Sequence, residues 1–471
     1  MNLPKSIALF LVPASIIFLL MSCNKPFSGD NFTAYFGGEI TNPNKPYILF
    51  CKDDQVLDTL KLKKDNTFFI KFDSLEPGLY TFKNTPEFQY VYFDKNDSIM
   101  VTINSKEFDE SIVFCGRGDE KNNFLMDMYL RNESDKQKMF DVFDTNIQQF
   151  TTTIDTAFTS NTTYYKKKKE EIKWSLGFDE YAKAAVKYHY YSKKELYPLI
   201  HKMRSGVDIS GQLPKNFYDY RKNIDLNDEK LLDYSPYIFY ISRMLDNIGT
   251  TNNNNNNNLS VVDLALKTNI NKLNIANKLI KNIKIKNRIF NTIAFSYLLE
   301  DQNMVNNQKF FDLYYKYSTD KSQKNEIFKI GQAIQLLKAG KQLPSVQLID
   351  RDGAVFSSNL ITKKKTVIFF WTENASSHLV AAHKKIMNYK KTHPDYQFIA
   401  INLDADQNKW NSTLSNYKFD GIQEYRCVNF DEIKNKWALT KIHRTIVLDL
   451  DNKINNAFTN IFEVNFETLL K

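Results

Sequence analysis

The stretch "TVIFFWTENASSHLVAAHKKIMNY" at residues 366–389 decides how the C-terminal part of this chain folds. Its first six residues are apolar β-formers, which predicts a buried strand. A short turn follows, and then apolar residues recur every three or four positions with lysines on the opposite face, which predicts an amphipathic helix. The apolar positions are Leu379, Ala382, Ile386 and Tyr389. Ser376 or Ser377 can cap the start of this helix.

The segments around this stretch predict an α/β layer. Upstream, "SVQLIDRDGAVFSSNL" predicts a hairpin with a "DG" turn. Downstream, "YQFIAINLDAD" and "EYRCV" predict strands, and "DQNKWNSTLSNY" and "FDEIKNKWAL" predict helices. The last segment, "RTIVLDLDNKINNAF", predicts a hairpin that turns at "DN". Strands that alternate with helices in this way indicate one α/β domain over residues 339–471.

This domain resembles the thioredoxin-like domain of envelope lipoproteins of the TlpA/ResA and AhpC/TSA type. The resemblance is carried by the opening "GKQLPSVQLIDRDG", by Trp371 at the end of the central strand and by Trp410 in a later helix. It implies a redox turn of the form W-x-x-x-C-x-x-C, but the two cysteine positions fall on Ala375 and His378. It also implies a cis-proline beside that turn, where this sequence has His443, and a cis peptide before a residue other than proline costs about 2.5–4 kcal/mol.

Because neither alanine nor histidine supplies a thiol, we expect a thioredoxin fold without thiol–disulfide chemistry and without catalytic residues. The alternative is that the site has been reused, with Glu373, His378 and His443 forming a metal or ligand site. No P-loop, G-x-S-x-G, H-E-x-x-H or dinucleotide glycine pattern occurs in the chain. We therefore expect no cofactor and no bound metal.

The N-terminus is typical of an exported lipoprotein. Residues 1–22 have a charged start and an apolar run of signal-peptide length, and "LMSC" resembles a lipobox in which Cys23 is lipidated. Residues 23–30 then form a lipidated tether to the membrane. Asn24 stands where an inner-membrane retention signal would place aspartate, which favours the outer membrane. The alternative is an ordinary secretory peptide with a chance cysteine.

Residues 31–114 predict an antiparallel β-sandwich-like module, since short alternating segments recur every 8 to 12 residues between turn signals. The module resembles the small β module that often precedes such domains, including its exit "CGRGDEKNNFL". In that exit the matching positions are Gly116, Gly118, Asn123 and Leu125. In an oxidising compartment Cys51 and Cys115 could form a disulfide, although sequence alone does not give the distance between them.

Residues 115–338 predict an all-helical middle domain, because apolar residues recur three and four positions apart. It resembles the helical module sometimes found between the other two. The asparagine run at 252–258 predicts a flexible loop between helices. His189 and His201 have no partner at metal-ligand spacing and receive no role.

The net charge is +9, from 63 basic and 54 acidic residues, and it is spread along the chain. The "KKKK" run at 166–169 is followed at once by two glutamates, which favours a solvated helix face over nucleic-acid binding. The sequence thus predicts a multidomain α+β envelope lipoprotein that binds or scaffolds an unknown envelope protein. The alternatives are a thiol–disulfide oxidoreductase or antioxidant protein of the envelope, and an accessory protein of nutrient capture at the outer membrane.

Overall fold

The computed structural model describes residues 32–53, 55–85, 87–251, 260–300, 304–417, 419, 421–439, 441–463 and 465–470. The signal peptide, Cys23 and the asparagine run lie outside these residues and stay predictions. Among the helices in the described ranges, none has the length and apolar character needed to cross a membrane. The chain divides into two compact units, the first running to Asp127 with Ile172–Asp179 added, and the second comprising Met128–Glu171 and Glu180–Lys471.

The first unit contains two four-stranded sheets, with the orders β3–β2–β5–β6 and β4–β1–β7–β8. Neighbouring strands are antiparallel except β1 and β7, which are parallel. A four-residue helix, α1 (Phe108–Ser111), precedes the last strand. The strands are β1 (Ala34–Thr41), β2 (Tyr47–Lys52), β3 (Gln55–Lys61), β4 (Thr67–Phe72), β5 (Gly78–Asn84), β6 (Glu87–Phe93), β7 (Ser98–Asn104) and β8 (Val113–Arg117).

The two sheets pack face to face through aromatic rings, as the predicted sandwich requires. Phe36 on β1 lies 5.5 Å from the ring of Phe50 on β2 and 5.5 Å from that of Phe82 on β5. All three side chains are fully buried. Burying a side chain of this size stabilises the fold by about 1.5–3 kcal/mol, so this aromatic layer is a main source of the stability of the unit.

The segment that leaves the β module, at residues 115–125, shows what the asparagines of the "CGRGDEKNNFL" stretch do. Asn122 and Asn123 stand side by side at the start of helix α2 (Asp119–Val142). The amide of Asn122 accepts from the N–H of Tyr92 on β6 and donates to its carbonyl, at 2.6 and 2.9 Å. The amide of Asn123 forms the same pair of bonds with Phe114 on β8, at 2.9 and 2.8 Å. Two consecutive asparagines therefore satisfy backbone groups at one edge of each sheet.

The possible disulfide between Cys51 and Cys115 is not formed. Cys51 is buried on β2, whereas Cys115 is exposed on β8 in the other sheet and carries a free thiol. The separation follows from the topology, because β2 and β8 do not neighbour each other.

The second unit begins with the helical part of the chain. Helix α3 carries the "KKKK" run on an exposed to half-buried surface, as predicted. The helical stretch at 275–300 is divided into two helices, because the side chain of Asn282 accepts from the N–H groups of Lys284 and Ile285 and starts a new helix. The helices are α3 (Ile147–Ile172), α4 (Leu176–Ser205), α5 (Ser235–Thr251), α6 (Val261–Leu279), α7 (Ile283–Glu300), α8 (Met304–Tyr317) and α9 (Lys321–Leu336).

A buried carboxylate connects three segments of this helical part. Glu195 on α4 is fully buried and accepts from Arg221, from the hydroxyl of Tyr220 at 2.7 Å and from Asn247 on α5 at 2.7 Å. A buried charge is tolerated only when it is paired and fully hydrogen-bonded, as it is here. The network gives the helical part a fixed arrangement of α4, α5 and the loop between them.

The C-terminal part forms a seven-stranded sheet with the order β10–β9–β13–β12–β11–β14–β15. Strands β11, β12 and β13 are parallel, and β14 is antiparallel to β11. The predicted hairpins at "DG" and "DN" are confirmed. The strands are β9 (Gln347–Ile349), β10 (Val355–Ser357), β11 (Thr366–Trp371), β12 (Gln397–Asn402), β13 (Gln423–Cys427), β14 (Thr445–Leu448) and β15 (Ile454–Thr459).

Helices cover both faces of this sheet. One buried cluster joins alternate residues of β11 to α10 (Ser376–Thr392) and α11 (Gln407–Asn416), and it includes the fully buried Trp410. On the other face Phe370 contacts Trp437 of α12 (Phe430–Trp437) at 6.1 Å. The predicted class, a multidomain α+β chain with β-sandwich, helical and C-terminal α/β parts, is confirmed.

Candidate functional site

The turn that joins β11 to α10 is fixed by hydrogen bonds to the carboxylate of Asp404. Asp404, just beyond the end of β12, accepts from the hydroxyl of Thr372 at 2.7 Å and from the N–H of Glu373 at 2.8 Å. Asn402 donates to the same carboxylate at 2.9 Å. Because β11 and β12 are parallel, their carboxyl ends meet at one edge, and Asp404 fixes the turn there. The sequence indicated only a strand end at this position.

The residue at the first predicted redox position is Ala375. It occupies the N-cap position of α10 and has no side-chain oxygen to bond the first helical N–H groups. The predicted serine cap is therefore wrong, since the helix begins at Ser376.

Glu373 lies in this turn with its side chain only 9% exposed, 3.3 Å from the ammonium of Lys409 on α11. Burial raises the pKa of the Glu373 carboxyl, and Lys409 offsets part of that rise. One oxygen of its carboxylate, Oε2, is thus engaged by Lys409 of α11.

His378 lies in the first turn of α10 and is half-buried. Its Nε2 is 3.1 Å from the carbonyl oxygen of Phe370, so Nε2 carries the proton and Nδ1 keeps its lone pair. Burial lowers the pKa of the imidazole, the Phe370 carbonyl partly restores it, and His443 lowers it further. His378 is therefore neutral near pH 7.

His443 is exposed and lies beside this corner. In the antiparallel register of β11 and β14, Phe369 stands opposite Thr445, so the segment containing His443 runs beside the end of β11. The neighbouring Arg444 is buried and donates to the carbonyls of Ala457 and Trp437 at 2.8 Å. These bonds hold the segment that carries His443 against the sheet.

A buried network beneath the turn was missed by sequence reasoning. His383 on α10 is fully buried, with Nδ1 2.7 Å from the carbonyl of Leu379 and Nε2 3.0 Å from the carboxylate of Glu424 on β13. Trp371 donates its indole N–H to the other oxygen of Glu424 at 3.2 Å. A carbonyl only accepts, so Nδ1 carries a proton, and a second proton must lie between Nε2 and the carboxylate.

One feature of the sequence could have revealed this network. His383 follows Leu379 by four positions and Ala382 by one, which places it on the apolar face of the helix. A histidine there needs a buried polar partner. Nothing in the sequence identified Glu424 as that partner. Glu424 lies on β13, which is separated from β11 in the sheet by β12.

The remaining thiol of this part of the chain is Cys427, at the carboxyl end of β13. It is buried, and burial raises the pKa of its thiol to about 11. A thiol with such a pKa is almost entirely protonated at neutral pH and is a poor nucleophile.

Across the described residues, no group of three or more potential ligands is placed to hold a metal ion. Glu373, His378 and His443 therefore do not form the three-ligand site considered from the sequence.

Comparison with known proteins identifies the fold of this part. A family described as thioredoxin-like matches residues 363–454. The C-terminal part of the chain is a thioredoxin-like domain. The match includes β11, the turn, α10, β12, α11, β13, α12 and β14, and so contains Ala375, His378 and His443. No curated protein matches the chain.

Solved structures similar to the thioredoxin-like domain come from several bacteria. A candidate thiol–disulfide oxidoreductase from Bacteroides vulgatus is 21% identical, with a TM-score of 0.26, and the match covers 29% of this chain and 96% of that one. A domain of a candidate thiol–disulfide isomerase from Cytophaga hutchinsonii is 20% identical, with a TM-score of 0.26, covering 29% and 92%. A thiol:disulfide interchange protein from a Bacteroides species is 19% identical, with a TM-score of 0.22, covering 26% and 80%.

Proposed function

We propose that this chain is a cell-envelope lipoprotein of the TlpA/ResA type whose thioredoxin-like domain lacks thiol–disulfide chemistry and binds a protein partner. The observation that carries the proposal is the turn between β11 and α10. The two positions that would supply thiols are Ala375, at the N-cap of α10, and His378, which bonds to the carbonyl of Phe370. Thiol–disulfide exchange requires an attacking thiolate, and neither residue can supply one.

Hydrogen bonds connect the other residues of the corner to the sheet. Asp404 holds the turn, Arg444 holds the segment of His443, and Glu424 holds Trp371 and His383. A domain that keeps its scaffold without its redox groups fits a binding role better than an enzymatic one. Fold alone does not establish this role, so it is tested by chemistry.

A thiol–disulfide oxidoreductase is the second candidate, and two observations favour it. Similar solved structures include candidate oxidoreductases, and Cys427 ends β13 at the same sheet edge as the turn. Against it stand the burial of Cys427 and the raised pKa of its thiol.

A dithiol-coupled disulfide reduction assay on the chain after Cys23 separates the two candidates. We expect no activity from the wild-type chain, and a gain of activity from the double variant Ala375→Cys/His378→Cys, which restores both thiols at a helix N-terminus. The control is Cys427→Ser. Activity in the wild type that is lost in Cys427→Ser would overturn the binding proposal and make this chain a redox enzyme.

The envelope location and the partner need their own measurements. Metabolic labelling with a fatty acid should label the full chain and should fail with Cys23→Ser, whereas equal labelling of both would refute the lipid anchor. Mild crosslinking in the native envelope followed by purification should recover a defined protein with the wild type. If crosslinking in the native envelope recovers only this chain, as crosslinking in detergent-solubilised membranes does, the result would count against a binding role.

A further inference from the structure

We infer that the thioredoxin-like domain binds the anionic surface of a lipid bilayer through a basic edge. This basic edge lies where β11 begins, opposite the turn that follows the strand, and consists of the exposed residues Leu360, Leu450, Lys341, Lys363, Lys364 and Lys453. The inference goes beyond the proposed binding of a protein partner. It does not depend on the lipid anchor, since the domain itself supplies the binding groups.

Backbone hydrogen bonds bring the lysines of the basic edge together. The N–H of Asp451, in the turn between β14 and β15, donates to the carbonyl of Lys363 at 3.1 Å. The N–H of Ile454 donates to the carbonyl of Lys341 at 2.8 Å, and Lys453 directly precedes it. Three segments far apart in sequence therefore run side by side, and their exposed lysines share one edge of the sheet.

Positive charge predominates at this edge. Asp395 forms an ion pair with Lys365 at 3.2 Å, so these two charges offset each other. The other carboxylates of these segments, Asp449 and Asp451, stand beside four exposed lysines. In the part of the chain that the structure describes, none of those four lysines forms an ion pair with a carboxylate. Their ammonium groups are thus available to an anionic surface.

The two leucines add an apolar component to the basic edge. Leu360 is 60% exposed and Leu450 is 59% exposed, and each precedes a lysine of the edge by three positions. The segments that carry them are joined by Thr362, whose hydroxyl donates to the side chain of Asn452 at 2.7 Å. Apolar side chains that enter the interface, flanked by lysines that contact lipid phosphates, are the combination that binds an anionic bilayer.

This mode of binding orients the domain. Strand β11 is six residues long, which places the turn about 20 Å from the basic edge, at about 3.3 Å per residue. A domain bound through the basic edge therefore presents Ala375 and His378 to the aqueous side, away from the bilayer. The corner then stays open to a protein partner while the opposite edge rests on lipid.

The test is co-sedimentation of the chain after Cys23 with vesicles of equal parts phosphatidylglycerol and phosphatidylcholine. This chain has no lipid anchor, so failure of the anchor and failure of the present inference are distinguishable. We expect binding that weakens at high salt, and no binding to vesicles of phosphatidylcholine alone. Lys363→Gln/Lys364→Gln should weaken binding about 30-fold. Leu450→Ser should weaken it at low and at high salt, because the apolar contribution is not screened.

Lys166→Gln/Lys167→Gln is the matched control, since it makes the same change of charge in the "KKKK" run, where Lys167 pairs with Glu171 at 3.7 Å. All the substituted side chains are exposed, so the melting temperature should stay that of the wild type in every variant. Absence of binding by the wild type would overturn the inference, as would equal binding by the wild type and all variants. Equal binding to polyglutamate and to the vesicles, without an effect of Leu450→Ser, would also overturn it and would assign the basic edge to an acidic protein segment.

Discussion

The buried network beneath the turn makes a sharp prediction for Glu424. Replacing Glu424 by leucine removes the acceptor of the Trp371 indole N–H and the partner of His383 Nε2. Both of those side chains are fully buried, so neither can turn to water. Removing one member of a buried charged pair typically costs about 3–5 kcal/mol, because the other member stays buried without compensation. We expect Glu424→Leu to destabilise the chain by an amount in this range.

Glu424→Gln is the matched control for this effect. The glutamine amide can accept from Trp371 through its oxygen and donate to a neutral His383 through its nitrogen. Both hydrogen bonds are kept and only the charge is lost, so the expected cost is about 1 kcal/mol or less. The double variant His383→Leu/Glu424→Leu removes both members of the pair and should be more stable than Glu424→Leu alone.

Urea unfolding followed by tryptophan fluorescence is a suitable assay. Three of the four tryptophans, namely Trp371, Trp410 and Trp437, lie in the thioredoxin-like domain, so the signal reports mainly on the part that is altered. The urea concentrations at the unfolding midpoint are compared between variants whose unfolding free energy depends on urea concentration with the same slope. Equal, small effects of Glu424→Leu and Glu424→Gln would refute the reasoning, since they would mean that the pair contributes nothing specific.

Three further predictions concern other parts of the chain. Gly116→Ala should destabilise the β module by about 1–3 kcal/mol, because Gly116 has φ +102° and a Cβ would lie 2.3 Å from the carbonyl oxygen of Ser98; thermal melts check this, with Gly211→Ala, which meets open space, as control. Asn122→Ala should cost about 2–4 kcal/mol, since it leaves the N–H and C=O of a buried strand residue without partners, and hydrogen exchange at β6 should quicken. Glu373→Gln should stabilise the chain at pH 7 and lose that advantage below pH 4.5, because burial raises the pKa of the Glu373 carboxyl and makes its ionised form the costly one. Urea unfolding at both pH values should show that the difference in unfolding free energy between variant and wild type shrinks at the lower pH. A difference that stays constant would contradict this prediction.

Much of the architecture could be predicted from the spacing of apolar residues, which recur every second position in strands and every three to four positions in helices. The strands of residues 47–104 and the order of strands and helices after residue 345 follow from alternation and turn residues, and the structure confirms them. Strand β1 was not singled out, because Gly37 and Gly38 interrupt its apolar pattern. The structure shows why they are there: a Cβ on Gly38 would come within 2.0 Å of the carbonyl oxygen of Val101 on β7.

The candidate site divides in the same way. Local sequence was enough to locate the turn after β11 and to show that Ala375 and His378 cannot supply thiols, because those statements depend only on residue type and spacing. Only the tertiary structure paired His383 with Glu424, placed Cys51 and Cys115 in different sheets and paired Glu373 with Lys409. Each of these depends on which strands become neighbours in a sheet. That choice is made by the burial of whole faces, which no short stretch of sequence encodes.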